Sequence, residues 1–119
     1  AIRSNVDEFE VAYLYYCEAT ASSPHQAIKL LFEGWAQIQI FSDYHPSSDF
    51  VSAWLTNEIE KHRDFNTTAH RQIHIVNSIQ HHLAHSYMVL HSYEMAEKLL
   101  KRILQMNVSN FVKRYMKLS

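Results

Sequence analysis

The stretch RQIHIVNSIQHHLAHSYMVL, from Arg71 to Leu90, carries four of the chain's nine histidines. Imidazole can ligate a metal, shuttle a proton or grip a polar ligand near neutral pH, so the spacing decides which chemistry is open. Wound as a helix at about 100° per residue, His70, His74, His81 and His85 fall within roughly 60° of one another. The apolar residues Ile73, Val76, Ile79, Leu83, Tyr87 and Leu90 centre about 230° from His70, nearly opposite. The imidazole stripe is therefore expected to face away from the core. This geometry assumes one helix from Thr67 to Leu90. A break at Asn77-Ser78 would separate the pairs and keep each intact, and the pattern allows both.

His70/His74 and His81/His85 are i,i+4 pairs, a spacing that can clasp Zn²⁺ or a similar ion. The pairs lie ~16 Å apart along a helix, so neither completes the other. A metal site would need ligands from a second helix, and no set stands out. No metal or other cofactor is expected, and these four histidines are the candidates if one binds. The simplest alternative is a solvated polar face.

Catalytic constellations are missing from the sequence. His85-Ser86 and His91-Ser92 are chain neighbours, which point about 100° apart on a helix and cannot pair as base and nucleophile. Glu58 and Glu60 fall on different helix faces. No strand–turn–helix nucleophile elbow can be drawn, and the single glycine, Gly34, cannot write a phosphate loop. The chain is expected not to be an enzyme.

The elements that must position these residues are helices. One glycine and two prolines (Pro24, Pro46) in 119 residues are too few for the turns of an all-β fold. An apolar content of 47% predicts a packed core. A first helix is expected from Ser4 or Asn5 to about Thr20, with Val6, Phe9, Tyr13, Tyr16 and Cys17 on its inner stripe. Ser23-Pro24-His25-Gln26 reads as a capping box with proline at the first helical position. It opens a second helix through Ala27, Leu31, Trp35 and Ile38 to about Phe41. Ser42 to Asp49 is the one clear loop, and Ser48 or Asp49 can cap a third helix. Asn66 or Thr67 can start the next. Ser92 opens a helix through Ala96, Leu99 and Ile103, and Asn107 to Asn110 is expected to interrupt it before a short terminal helix. The expectation is a single all-α domain over residues 1–119, made of antiparallel helical hairpins. Its pairs fall at about 4–41, 49–76 and 77–107, with a terminal helix at 110–118.

The net charge of −1, from 11 basic and 12 acidic residues, gives no general attraction to nucleic acid or anionic lipid. The charges are uneven: Asp7, Glu8, Glu10 and Glu18 come early, and Lys98, Lys101, Arg102, Lys113, Arg114 and Lys117 come late. They read as solvated helix faces or as ends matched to neighbours. Phe111 to Lys117 interleaves aromatic and basic residues, which could stack nucleotides but reads first as an amphipathic helix packing Phe111, Tyr115 and Met116. Neither nucleic acid nor membrane is an expected partner. Cys17 is alone and expected to be buried, which fits a reducing compartment. No apolar run is long enough to span a bilayer. An intracellular, cytoplasmic location follows, with the nucleus left open.

From Asn77 to Asn110 the chain resembles a tetratricopeptide repeat, a helix–turn–helix unit of about 34 residues. Leu83, Ala84 and Tyr87 match the large, small and aromatic positions of its first helix. Tyr93, Ala96 and Leu100 match positions of its second. Ile103 and Val108 depart from the pattern, standing where a small residue and a closing proline are usual. Ala27 and Gly34 give a weaker echo near the start, where Tyr15 spoils a small position. The resemblance implies a right-handed superhelix of hairpins; without it the same elements make a compact helical bundle. It also implies a concave groove lined by first-helix residues, here Ser78, His81, His85 and Met88, that holds a partner protein or peptide. The family's lysine–asparagine clamp for a terminal carboxylate is not reproduced. The functional expectation is thus a protein-interaction or scaffolding module. A metal-binding helical bundle and an oligomerisation domain, with Trp35, Trp54 or Phe111 at a self-interface, are the alternatives.

Overall fold

The chain is all-helical. A computed structural model describes residues 5–64 and 66–118, with side chains described from 7 to 64 and from 66 to 108. In order come α1 (Asn5–Thr20), α2 (Pro24–Ala36), a 3₁₀ turn (Gln39–Phe41), α3 (Asp49–Lys61), α4 (Thr67–Val89) and α5 (Tyr93–Leu118). No strand occurs among the described residues. The termini of these helices follow local chemistry. Ser48 caps α3 by accepting from the Val51 N–H, and Asn66 caps α4 by accepting from the Ala69 N–H at 3.0 Å. Pro24 occupies the first turn of α2, but Ser23 makes no side-chain capping bond, so the capping box is not formed.

The α4–α5 turn carries a left-handed residue. The Ser92 N–H reaches the Tyr87 carbonyl and the His91 N–H reaches the Met88 carbonyl. These are the two bonds of a Schellman motif. The residue they force into the left-handed region is His91, with φ 61°, where glycine is the usual occupant.

The helices form a slab of 46 × 41 × 24 Å, two helix diameters thick. At its centre lies α4, which packs on α1, α2, α3 and α5. Its surroundings explain its composition. Ile75, Val76, Ile79, Leu83 and Ala84 are buried among four neighbours, together with Gln80 and Ser86. Gln80 is satisfied there by donating to the Pro46 carbonyl at 3.0 Å, as a buried amide must be.

Aromatic packing fixes the connection between α2 and α3. Trp35 stacks on Phe41 at 5.0 Å, and its indole N–H donates to the carbonyls of Phe41 and Tyr44. Phe9 stacks on Trp54 and meets Phe41 edge-on. The buried Glu8 carboxylate accepts from the Gln39 N–H and so ties α1 to the start of the 3₁₀ turn. Trp35 is buried in the core and so is withdrawn from the self-interface expected from sequence, while Trp54 is half-buried and stacked on Phe9.

Four further expectations are corrected. The helix through Asn77 is unbroken, so the boundary at 76/77 disappears and α4 runs 23 residues. Packing on four sides overrides the weak local preference of Asn77-Ser78. Helix α5 likewise runs through Asn107 to Leu118, with no separate segment at 110–118. Helix α2 stops at Ala36, and Ile38 to Phe41 turn back under Trp35. Cys17 is exposed, because α1 buries Phe9, Ala12 and Ala19 and thereby turns position 17 to solvent. The expected packing of Val6 and of Phe111, Tyr115 and Met116 lies outside the described side chains.

Candidate functional site

Along α4 from Ala69 to Met88, five side chains are exposed: His70, His74, His81, His85 and Met88. Every other side chain in that span is buried or half-buried. Within that span the central helix meets solvent along one narrow stripe with four imidazoles among its five members, and the end residues Thr67, Thr68 and Val89 are exposed too. Burial by four neighbours leaves about a quarter of a helix circumference open, and the 3.6-residue period places these positions on it.

Beside this stripe the C-terminal half of α1 runs against α4. Between them opens a cleft of about 430 Å³, lined by Tyr16, His74, Asn77, Ser78, His81, His82 and His85. No carboxylate is among the lining residues. His82 forms the wall shared by the two helices. Its Nε2–H donates to the Ala19 carbonyl at 3.3 Å, an acceptor that also takes the Ser22 N–H at the end of α1. Its ring meets Tyr16 edge-on at 6.0 Å and stacks with His85 at 5.8 Å. The Ser78 hydroxyl donates to the His74 carbonyl; its oxygen keeps lone pairs for a ligand donor.

A second cleft, of about 380 Å³, follows on the same seam toward the start of α4, lined by Phe9, Glu10, Thr67, Thr68, Arg71 and Gln72. Its polar wall is preorganised. Arg71 donates to both Glu10 oxygens, at 2.8 and 3.1 Å, and its guanidinium lies 4.3 Å from the Tyr13 ring centroid. The hydrogen bonds from Arg71 hold the Glu10 carboxyl below its ordinary pKa, and the same pairing raises that of the guanidinium. Tyr13 also contacts Tyr16 and His74, so the two clefts share one aromatic rim. From Thr67 to His85 the seam spans ~27 Å by helical rise, the length of roughly eight residues of extended peptide.

The structure brings Ser78, His81 and His85 together in the first cleft and adds His74 from the metal candidates. Met88 is exposed on the same stripe but does not line it. His70 stands apart, with Nε2 bonded to the His62 carbonyl. Among the described residues no group of three or more His, Cys, Asp or Glu side chains could hold a metal ion. Sequence reasoning missed His82, Asn77 and the role of Tyr16. His82 sits at about 120° from His70 on the helical wheel, between the stripe and the core. Such an intermediate angle marks the flank that meets a neighbour, and that signal was present.

Family models, curated proteins and solved structures were compared with the chain, and none matches. Among the described residues no helix is long and apolar enough to cross a membrane.

Proposed function

We propose that this chain is a protein-interaction module that holds an extended segment of a partner along the α1–α4 seam. The observation that carries the reading is the solvent stripe of the central helix. Between its two end turns, a helix packed on four sides shows water His70, His74, His81 and His85, and three of these border a cleft with hydroxyl and amide groups and no acid. Such a lining offers donors and acceptors for peptide groups and suits a segment that brings its own carboxylate. The tetratricopeptide resemblance is part of this proposal. Its small positions, Ala84 and Ala96, are 2% and 0% exposed. Tyr93 and Leu100 are exposed, and α4 and α5 together exceed the length of one 34-residue unit. An exposed lone thiol at Cys17 suits a reducing, intracellular setting.

Selection of a random-peptide phage library on the immobilised chain, followed by fluorescence anisotropy of the recovered peptides, tests the reading. Paired His81→Ala and His85→Ala substitutions should weaken binding at least tenfold, while helicity and melting temperature stay unchanged. Recovered peptides that bind the double variant as tightly as the wild type would refute it. So would a selection that yields no binder.

A further inference from the structure

Helices α1 and α5, two of the four that pack on α4, each carry exposed apolar side chains on an outer stripe among the described residues. On α1, Asp7, Val11, Leu14 and Glu18 recur at four- and three-residue steps and share one face. Leu14 there is 69% exposed, the highest value among the large exposed hydrophobics. On α5 the same spacing lines up Leu100, Leu104 and Val108, with Tyr93 two turns earlier; Leu104 is 63% exposed. The inner face of α5, through Ala96, Leu99, Ile103 and Met106, already packs on the core. The outer stripe is thus a second apolar surface on one helix, ~22 Å long by helical rise.

The charges of the two helices are opposite. Helix α1 carries four acids and no base, and α5 carries six bases against two acids over its length. Glu8 bonds to Gln39 and Glu10 to Arg71 within the chain. Asp7 and Glu18 bracket Leu14 on the exposed face. Lys101 sits beside the α5 stripe, paired at the surface with Glu97.

We infer that α5 of one copy docks on α1 of another, so that copies associate head to tail. Like charge opposes pairing α5 with α5 or α1 with α1, and unlike charge favours the mixed contact. Leu14 supplies the apolar contact between its two acids, and Leu100 and Leu104 supply the facing surface. A contact between two different faces does not close at two subunits, so mass should keep rising with concentration. Two single-helix faces make a small interface, so the association should be weak and salt-sensitive. This inference is independent of the α1–α4 groove.

Sedimentation equilibrium of the full chain over roughly 10 μM to 1 mM, where interfaces this small associate, provides the test. The average mass should climb past that of a dimer, and added salt should reverse the climb. Leu14→Arg and Leu104→Glu should each remain monomeric, because each removes one face. Both positions are solvent-exposed, so circular dichroism should stay unchanged; Val108→Glu is a second variant on the α5 face. Mixed one to one, Leu14→Arg and Leu104→Glu each retain the face the other lacks, and should form a heterodimer that grows no further. A wild-type chain that stays monomeric throughout would overturn the inference. So would a Leu14→Arg chain that self-associates like the wild type, or a mixture that stays monomeric.

Discussion

His45 shows how one side chain couples the core to pH. Its Nδ1 accepts from the Ser47 N–H at 3.1 Å and is also bonded to the Ser47 hydroxyl. Its ring lies against Phe32, and its Nε2 is buried without a partner among the described residues. Burial, with Lys98 nearby, pushes the imidazole pKa below its ordinary value. The fold therefore prefers the neutral ring, and the unfolded chain takes up the proton first as pH falls. Stability from this group is complete above about pH 6.5 and drains away as pH drops through the lowered folded value. Urea midpoints should fall between pH 7.5 and 5.5 in the wild type, and less steeply in His45→Asn, which keeps an acceptor for Ser47 but cannot titrate. Equal slopes would place the acid sensitivity elsewhere. Gly34 is the other decisive residue. A Cβ at that position would stand 2.7 Å from the Tyr15 Cβ and 3.1 Å from the Ala12 carbonyl. Gly34→Ala should thus destabilise by roughly 1–3 kcal/mol through overpacking, although alanine is the better helix former. A gain in stability on urea denaturation would mean that α1 and α2 can move apart at no cost.

At the scale of elements, the α4–α5 hairpin depends on a close approach and on a turn. Ala96 has no exposed surface, so Ala96→Leu should cost roughly 1–3 kcal/mol in a thermal or urea melt; a neutral result would show that the two helices are not held tightly there. In the turn, His91 occupies a conformation that costs an L-residue about 1 kcal/mol or more. His91→Gly should raise stability by about 1 kcal/mol, less whatever the His91–Tyr93 hydrogen bond contributes. A loss of stability in a thermal melt would show that the hydrogen bond outweighs the strain. Much of this architecture was legible in the chain. Periodicity placed the regions of all five helices, with a sixth at 110–118 that is part of α5; Ser48 and Asn66 read as caps, and the small residues Ala84, Ala96 and Gly34 are buried. The continuity of α4 and α5 was not legible, because Asn77 and Asn107 are locally poor helix residues. What keeps α4 continuous is packing from distant parts of the chain. The stripe of α1 was misjudged for a related reason: with α2 and α4 both against it, its buried face is Phe9, Ala12 and Ala19, which places Cys17 outside.

For the whole molecule, the account rests on how α4 is placed. Being central, it has one open side, and that side is where the histidines are. The wheel set His70, His74, His81 and His85 on one stripe opposite the apolar residues, and all four are exposed. It could not show that Tyr16 and His82 would join them, since that depends on where α1 lies against α4. The most direct measurement is amide and imidazole chemical-shift mapping of the ¹⁵N-labelled chain during titration with a selected peptide. The account predicts shifts concentrated at His74, Asn77, Ser78, His81, His82 and His85, extending toward Arg71 for longer peptides. Shifts concentrated instead on α2, α3 or the outer face of α5, with the α4 histidines unmoved, would contradict it.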